Sequence, residues 1–171
     1  MRTFTIVMAV VAVGVAIATS VSRSGFALAG EFAHDAGEMA IADTPKVFTD
    51  LRLEAAKKQS KEKKQWLLVD ATATWCPPCQ QMKKTTWREE AVEAWFKGHG
   101  LAIMVDVDEF EKEAQELRIE AMPTLVLFKE GEEFDRVVGF QDGEQLLAWL
   151  NGALKGEKAT EKAAKELAER L

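Results

Sequence analysis

Apolar runs short enough for buried strands alternate along the chain with segments of helical periodicity. Residues 66–73 (WLLVDATA) and 101–108 (LAIMVDVD) each predict one strand, and residues 124–140 (TLVLFKEGEEFDRVVGF) predict two strands joined by a turn at Gly131. With the helical segments between them, the expected order is helix, strand, helix, strand, helix, strand, strand, helix. This order favours the α/β class.

The helical segments each present one apolar face. The first, residues 43–65, has Thr44 as a cap and Pro45 in its first turn. The second opens at a pair of cysteines and is expected to run through Trp87, with a further helical pattern after it. The residues expected to face the core are, in chain order, Val47, Phe48, Leu51, Ala55, Val92, Trp95, Phe96, Phe110, Ala114, Leu117, Leu146, Leu147, Leu150 and Leu154.

The order of the strands predicts a central mixed β-sheet with helices on both faces. The first two strands can pair in parallel through a crossover, whereas the last two form an antiparallel hairpin. After the last helix, the tail KGEKATEKAAKELAERL predicts a charged helix with few apolar side chains available for packing. We expect this tail to be a solvated appendage or a weakly docked helix.

The N-terminus has the pattern of a secretory signal peptide. Arg2 precedes an apolar run, and small residues at Ala27 and Ala29 mark a cleavage site before Gly30. An uncleaved membrane anchor is the alternative, because residues 4–21 nearly suffice to span a bilayer. On either interpretation the rest of the chain is exported, to the periplasm or anchored facing it. The expected segments are 1–29 (signal peptide), 30–44 (flexible leader), 45–154 (folded domain) and 155–171 (charged helix).

The charge of the chain bears on its partners. The formal net charge is −6 at pH 7, and residues 1–29 carry two arginines and no acid, so the exported part is more acidic still. An acidic domain without a basic patch is poorly suited to nucleic acid or to anionic lipid surfaces. We therefore expect no nucleic-acid partner.

Both cysteines of the chain, Cys76 and Cys79, lie in the stretch ATWCPPCQQM, directly after the first predicted strand. A structural staple is a weak explanation, because the loop it closes is too short to restrain the unfolded chain much. Zinc needs about four ligands, yet the two histidines, His34 and His99, lie far away in loop-like sequence. Covalent haem attachment requires a histidine where the chain has Gln80. Thiol–disulfide chemistry remains, and we expect no metal or cofactor.

The position of the pair at a strand-to-helix junction favours this chemistry. Cys76 falls at the helix N-cap, where unpaired N–H groups and the helix dipole favour a thiolate. The thiolate attacks a disulfide to form a mixed disulfide. Cys79, one turn along and expected to be less exposed, is placed to resolve it.

The sequence around the pair resembles the thioredoxin superfamily. LLVDATATWCPPC is similar to the family's active-site strand and loop, with Trp75 before the first cysteine and Asp70 six residues before it. EAMPTLVLFKEGEEFDRVVGF is similar to the region that carries the family's cis-proline, here Pro123. The resemblance covers residues 46–154, and the TTW after the active-site helix further resembles the exported domains of the transmembrane disulfide-reductase family.

The resemblance implies a role for each matching residue. Cys76 would be the nucleophile and Cys79 the resolving thiol, with Asp70 taking the proton of Cys79 directly or through water. Pro123 in cis would expose the backbone of Met122, so that an extended substrate segment can lie beside Cys76 as an added strand. The substrate-binding residues implied are Trp75, Pro77, Pro78, Met122, Pro123 and Thr124.

Asp70 is an unusual residue for its place. It lies inside an apolar strand, where an unpaired carboxylate is costly and its pKa is expected to rise; a solvent-facing aspartate at a strand edge is the alternative.

Three positions depart from many thioredoxins. Met104 replaces a lysine that often neighbours this acid, Thr72 replaces a tryptophan, and Lys84 replaces a kinking proline, so we expect a straighter helix.

The two prolines between the cysteines remove two N–H groups that would otherwise stabilise the Cys76 thiolate. We expect chiefly the Cys79 N–H and the helix dipole to remain, which lowers the pKa of Cys76 only modestly and makes the reduced form a good electron donor.

A good electron donor at this pair favours a monomeric reductase of protein disulfides, supplied with electrons by a membrane disulfide reductase. The alternatives are a disulfide-forming oxidase and a non-catalytic thioredoxin-fold binding module; no dimerisation domain is recognised, which disfavours a dedicated isomerase.

Overall fold

The computed structural model describes residues 44–170, so the predicted signal peptide, its anchor alternative and nearly all of the leader lie outside the described residues. The helices are α1 (Leu53–Lys63), α2 (Pro77–Lys84), α3 (Glu90–His99), α4 (Glu111–Glu116), α5 (Gly143–Leu154) and α6 (Ala159–Glu169), with a 3-10 helix (Thr86–Arg88) between α2 and α3. The strands are β1 (Trp66–Thr72), β2 (Gly100–Asp106), β3 (Thr124–Lys129) and β4 (Glu132–Val138).

The strands form one mixed sheet in the order β2-β1-β3-β4. β1 pairs in parallel with β2 and antiparallel with β3, and β3 pairs antiparallel with β4. A further parallel bridge joins Phe48 to Ala102, on the outer side of β2. The predicted α/β class, the parallel crossover and the terminal hairpin are confirmed.

A different set of helices covers each face of the sheet. α2, α3 and α5 pack on the face that carries Leu68 and Leu125, together with Trp87 from the 3-10 helix. α1 and the end of α4 pack on the other face, which carries Leu67 and Val69. Every residue of β1 is buried, because the strand is central in the sheet and covered from both sides.

The predicted helix at 43–65 is wrong in its first part. α1 begins only at Leu53, and Thr44 caps no helix. The chain before α1 runs instead beside β2, where the bridge to Ala102 satisfies backbone groups that a helix would have satisfied internally. The apolar spacing of this segment suits either arrangement, and Ala55 is consequently exposed. The buried residues of α1 are Leu53, Ala56 and Ser60.

Two other helices differ from their predicted extents or faces. α2 ends at Lys84 and does not continue through Trp87, because the backbone of Thr85 leaves the helical region (φ −118°, ψ −82°). In α5 the predicted inward residue Leu154 is 42% exposed. The side chains that α5 buries are those of Leu146, Trp149, Leu150 and Ala153.

A buried carboxylate in β4 holds the first turn of the tail helix. Asp135 is 3% exposed and accepts hydrogen bonds from Trp149 Nε1 (2.8 Å), Ala159 N (2.6 Å), Thr160 N (3.3 Å) and Thr160 Oγ1 (2.8 Å). Burial raises the pKa of Asp135, but these hydrogen bonds outweigh it and hold the pKa below its ordinary value. α6 itself buries no residue, so it is an exposed helix docked at one end. No helix within residues 44–170 has the length and apolar character needed to cross a membrane.

The passage from α3 to β2 is a tight point of the fold, because the helix ends at His99 and the strand begins at Gly100. A Cβ on Gly100 would overlap the backbone carbonyl of Trp66 in β1. Gly100→Ala is therefore expected to lower the free energy of unfolding by about 1–3 kcal/mol, the usual cost of overpacking against a backbone that must shift.

The matched control is Gly98→Ala in the last turn of α3, where no atom lies within 4 Å of the added methyl group. This change is expected to raise the free energy of unfolding by roughly 0.5–1 kcal/mol, because alanine loses less backbone entropy than glycine in a helix. Urea unfolding of both variants measures the difference. Equal stabilities of the two variants would contradict the proposed overlap.

Candidate active site

The cysteine pair lies where β1 leads into α2. Cys76 is the N-cap of α2, as predicted, and Pro77 and Pro78 occupy the first two helical positions. The Sγ atoms of Cys76 and Cys79 form a disulfide bond. Both cysteines are 4% exposed, so the expectation that Cys79 would be the less exposed of the two is wrong. The structure therefore represents the oxidised form of the pair.

One backbone donor reaches the sulfur of Cys76. The Cys79 N–H donates to Cys76 Sγ at 3.3 Å, and no other hydrogen bond to this sulfur occurs within residues 44–170. The two prolines between the cysteines have no N–H to offer. The donor that remains is the one that the sequence predicted.

Gln80 holds the loop before the helix in place. Its side chain donates from Nε2 to the Ala73 carbonyl at 3.0 Å, and the Cys76 N–H donates to the same carbonyl at 3.3 Å. In the sequence, Gln80 served only to exclude covalent haem attachment, and no pattern indicated this contact. The two bonds fix the strand-to-helix turn on which the cysteine sulfur is carried.

Trp75, which the resemblance implies to lie at the rim of the site, comes directly before Cys76. It is 63% exposed, and its Nε1 donates to Asp108 Oδ2 at 2.6 Å. Asp108 lies just after β2, and sequence reasoning missed it because its apolar neighbours placed it at the end of a strand. The parallel pairing of β1 and β2 was the available signal, since parallel strands bring the segments that follow them to one edge of the sheet.

The loop before β3 completes the site. The Met122–Pro123 peptide bond is cis, which confirms the expectation for this proline. Pro123 is buried, and half-buried Met122 packs against the cysteine pair. The Pro123 carbonyl accepts from Gly139 N at 2.8 Å, and buried Thr124 donates from Oγ1 to the Ala121 carbonyl at 2.7 Å. Within the described part of the chain, the backbone N–H and C=O of Met122 make no hydrogen bond.

Asp70 is buried in the middle of the sheet, which rules out the alternative of a solvent-facing aspartate. It is 4% exposed and lies between Met104 of β2 and Leu125 of β3 in the strand register. Its Oδ1 has no hydrogen-bond partner among the described residues. Burial raises the pKa of Asp70 to about 7, and the nearby Trp87 indole lowers the pKa only in part.

The structure thus brings several of the predicted residues together beside the disulfide. Trp75 and the two prolines come from the β1–α2 turn, and Met122 and Pro123 come from the loop that packs on it. Within residues 44–170, no three histidine, cysteine or acidic side chains converge as metal ligands would. The groups available for chemistry are a disulfide and a carboxyl group that titrates near neutrality.

Comparison with known proteins agrees with this geometry. The family described as "Thioredoxin-like domain" matches residues 53–154. This chain belongs to the thioredoxin-like family. It is 42% identical to Thioredoxin H5 of Arabidopsis thaliana over 86 residues, which cover 48% of this chain and 66% of that protein. It is 38% identical to a thioredoxin of Staphylococcus aureus over 84 residues, which cover 49% of this chain and 78% of that protein.

Solved thioredoxins share the fold. A poplar thioredoxin h superimposes with a TM-score of 0.52 at 23% identity, covering 62% of this chain and 91% of that one. A thioredoxin from Thermus thermophilus gives a TM-score of 0.52 at 25% identity, covering 58% of this chain and 81% of that one. With its Cys76–Cys79 disulfide, this chain is a thioredoxin-like thiol–disulfide oxidoreductase.

The titration of Asp70 has a consequence for stability. Because its folded-state pKa of about 7 exceeds the unfolded value of about 4, the folded protein retains a proton that the unfolded chain has released between these pH values. The free energy of unfolding therefore falls as the pH rises through this window. Asp70→Asn removes the effect, so its stability relative to the wild type should grow by up to about 4 kcal/mol from pH 4 to pH 7 and then level off.

Asp135→Asn is the matched control, because the pKa of this equally buried aspartate is lowered. Its carboxylate stabilises the fold above the unfolded pKa and loses that contribution as the pH falls. The Asp135→Asn variant should therefore be less stable than the wild type near neutral pH, by an amount that shrinks towards acid. Thermal unfolding of both variants from pH 4 to pH 8 checks the opposite signs; a pH-independent difference for Asp70→Asn would show that Asp70 is ionised throughout.

Proposed function

We propose that this thioredoxin-like protein is exported and reduces disulfides in other proteins through Cys76 and Cys79. The observation that carries the direction of transfer is the sparse stabilisation of the Cys76 sulfur, which accepts one backbone hydrogen bond, from Cys79 N. A thiolate with few donors is a stronger electron donor than one that is heavily stabilised, because stabilising the thiolate stabilises the reduced form. A strong oxidant requires the opposite arrangement.

The substrate lies along the loop that contains Pro123. The backbone N–H and C=O of Met122 are free of hydrogen bonds within the described residues, and Met122 packs against the cysteine pair. An extended segment of a substrate protein can pair with these backbone groups as an added strand. This pairing would place the substrate disulfide beside Cys76, with the exposed ring of Trp75 at the rim.

The reaction transfers two electrons from the protein to the substrate. In the reduced protein the Cys76 thiolate attacks one sulfur of the substrate disulfide, forming a mixed disulfide and releasing the other substrate sulfur as a thiolate. Cys79 then gives its proton to the Asp70 carboxylate, and the resulting thiolate attacks Cys76 Sγ. The substrate leaves as a dithiol after protonation, and the protein is left with the Cys76–Cys79 disulfide seen in this structure.

The buried carboxyl group of Asp70 suits this proton transfer. A base works best when its pKa lies near the working pH, and burial brings the pKa of Asp70 to about 7. The proton taken from Cys79 must then pass to solvent before the next cycle. Asp70 is thus available as an acceptor in one half of the cycle and as a donor in the other, when the disulfide is reduced again.

The cellular setting is part of the same proposal. The N-terminal pattern directs the chain to the periplasm, either free after cleavage following Ala29 or anchored by residues 4–21. Outside the cytoplasm a reductase needs its own supply of electrons, and we propose a membrane disulfide reductase as the donor. Its substrates are proteins that carry disulfides in that compartment.

Loss of either cysteine tests the chemistry. With dithiothreitol as the electron source, the protein should accelerate the reduction of insulin, and Cys76→Ser should abolish the acceleration. Cys79→Ser should instead accumulate a mixed disulfide through Cys76, visible as an adduct by mass spectrometry under non-reducing conditions. The Cys76→Ser/Cys79→Ser double variant should give no adduct. If the unaltered protein did not accelerate insulin reduction, a non-catalytic binding module would be supported instead. Acceleration that survives in Cys76→Ser would contradict a reaction centred on this pair.

The reduction potential of the pair tests the direction. Equilibration of the protein, without its first 29 residues, against a defined thiol buffer should give a value near that of thioredoxin, about −270 mV. A value near −120 mV, that of a strong oxidant, would identify a disulfide-forming oxidase and would refute the argument from the two prolines.

A further inference from the structure

Two buried polar atoms lack a hydrogen-bond partner within residues 44–170, and they belong to neighbouring side chains. They are Oδ1 of Asp70 and Nε1 of Trp87. Asp70 is 4% exposed and Trp87 is fully buried. Buried polar groups are nearly always paired, so a native protein that leaves two unpaired has a reason for doing so. Here one atom is an acceptor and the other can only donate, which makes the pair complementary.

We propose that Trp87 is a positioning residue for Asp70, whose indole N–H closes onto the carboxylate when Asp70 is ionised and is released when the carboxyl group is protonated. The inference rests on the proposed function, since it concerns the base that takes the proton of Cys79. We assign Trp87 no contact with the cysteine pair or with the substrate. It acts through Asp70, by determining how readily that group ionises.

Among the described neighbours of Asp70, Trp87 is the residue that can stabilise its ionised form. On this face of the sheet β2 places Met104 beside Asp70 and β3 places Leu125, neither of which carries charge. α2 brings Met82 to this face. The cysteine pair packs with Ala73 and Met122 and does not titrate while the disulfide is formed. Among the described residues, burial raises the pKa of Asp70 and the Trp87 indole lowers it, with no charged side chain contributing.

The neighbours of Trp87 hold its ring in the core cluster on the face of the sheet that carries Asp70. The residue lies in the 3-10 helix after α2, and the edge of Phe48 packs on its ring with the centroids 5.0 Å apart. Thr86, the residue before it, donates from Oγ1 to the Gln141 carbonyl at 2.7 Å and fixes the backbone. The indole is therefore anchored by its neighbours while its N–H remains unbonded.

The N–H of Trp87 keeps Asp70 usable as a base near neutral pH. A hydrogen bond to the ionised form lowers a pKa, and its removal raises the pKa. If Trp87 were replaced by a residue without a donor, more of Asp70 would be protonated at pH 7 and unable to accept the proton of Cys79. A rise of one pH unit from 7 would reduce the ionised fraction at pH 7 by about fivefold.

The first test uses the unaltered chain in its oxidised form. The ¹⁵N–¹H resonance of the Trp87 indole and the ¹³C resonance of the Asp70 carboxyl group should titrate together between pH 5 and pH 9, with one shared midpoint near 7. The Trp149 indole is the internal control: it already donates to Asp135, whose lowered pKa keeps it ionised throughout this range. A Trp87 indole resonance that stays constant while Asp70 titrates overturns the proposal.

The second test uses Trp87→Phe, which retains an aromatic ring without the N–H. The Asp70 midpoint should rise by about one unit or more, and the pH profile for resolution of the mixed disulfide by Cys79 should shift by the same amount. Trp95→Phe, at a buried tryptophan that donates to Asn151, should shift neither. In an Asp70→Asn background, Trp87→Phe should leave the profile unchanged. An unshifted midpoint in a folded Trp87→Phe variant contradicts the proposal.

These outcomes separate this inference from the proposed function. If the wild-type protein fails to reduce insulin, the proposed function fails, whatever the indole resonance does. If insulin is reduced and the indole resonance is constant with pH, the function stands and Trp87 has no part in setting the protonation of Asp70.

Discussion

The burial of β1 on both faces and along both edges is the constraint on which the site depends. The strand lies between β2 and β3, and each of its seven residues is buried. A chain enclosed in this way reaches the surface only where the strand ends, and there it turns directly into α2 with Cys76 as the N-cap. The same enclosure removes Asp70 from water. One strand thus leads to the reactive cysteine at the N-cap of α2 and keeps the carboxyl group of Asp70 in the middle of the sheet.

Burial by itself does not decide how an aspartate behaves in this fold. Asp70 and Asp135 are almost equally enclosed, at 4% and 3% exposed, yet their pKa values move in opposite directions. Asp135 accepts four hydrogen bonds, and Asp70 Oδ1 accepts none. The donors around Asp135 therefore offset its burial, whereas the burial of Asp70 is only partly offset and raises its pKa.

The sequence predicted those features that depend on short stretches of chain. Apolar runs located the strands, and the junction of a strand with a Cys-Pro-Pro-Cys helix located the reactive pair and its N-cap. The resemblance to thioredoxins added the cis bond at Pro123 and the buried acid Asp70. Several contacts that the sequence did not predict join residues that are distant in the chain. The segment before α1 pairs with Ala102, Trp75 bonds to Asp108, and Asp135 meets donors from α5 and α6. Amphipathic spacing cannot distinguish such long-range pairing from helix.

The hydrogen bonds that Asp135 accepts have a consequence for the order in which the domain folds during synthesis. The donors to this carboxylate come from Trp149, Ala159 and Thr160, all of which follow β4 in the chain. While the chain is being synthesised, the strand emerges before the groups that satisfy its buried charge. The tail helix buries no residue, yet its first turn supplies three of the four hydrogen bonds that Asp135 accepts. Chain elongation past Thr160 is therefore the step at which β4 becomes fully compatible with the folded domain.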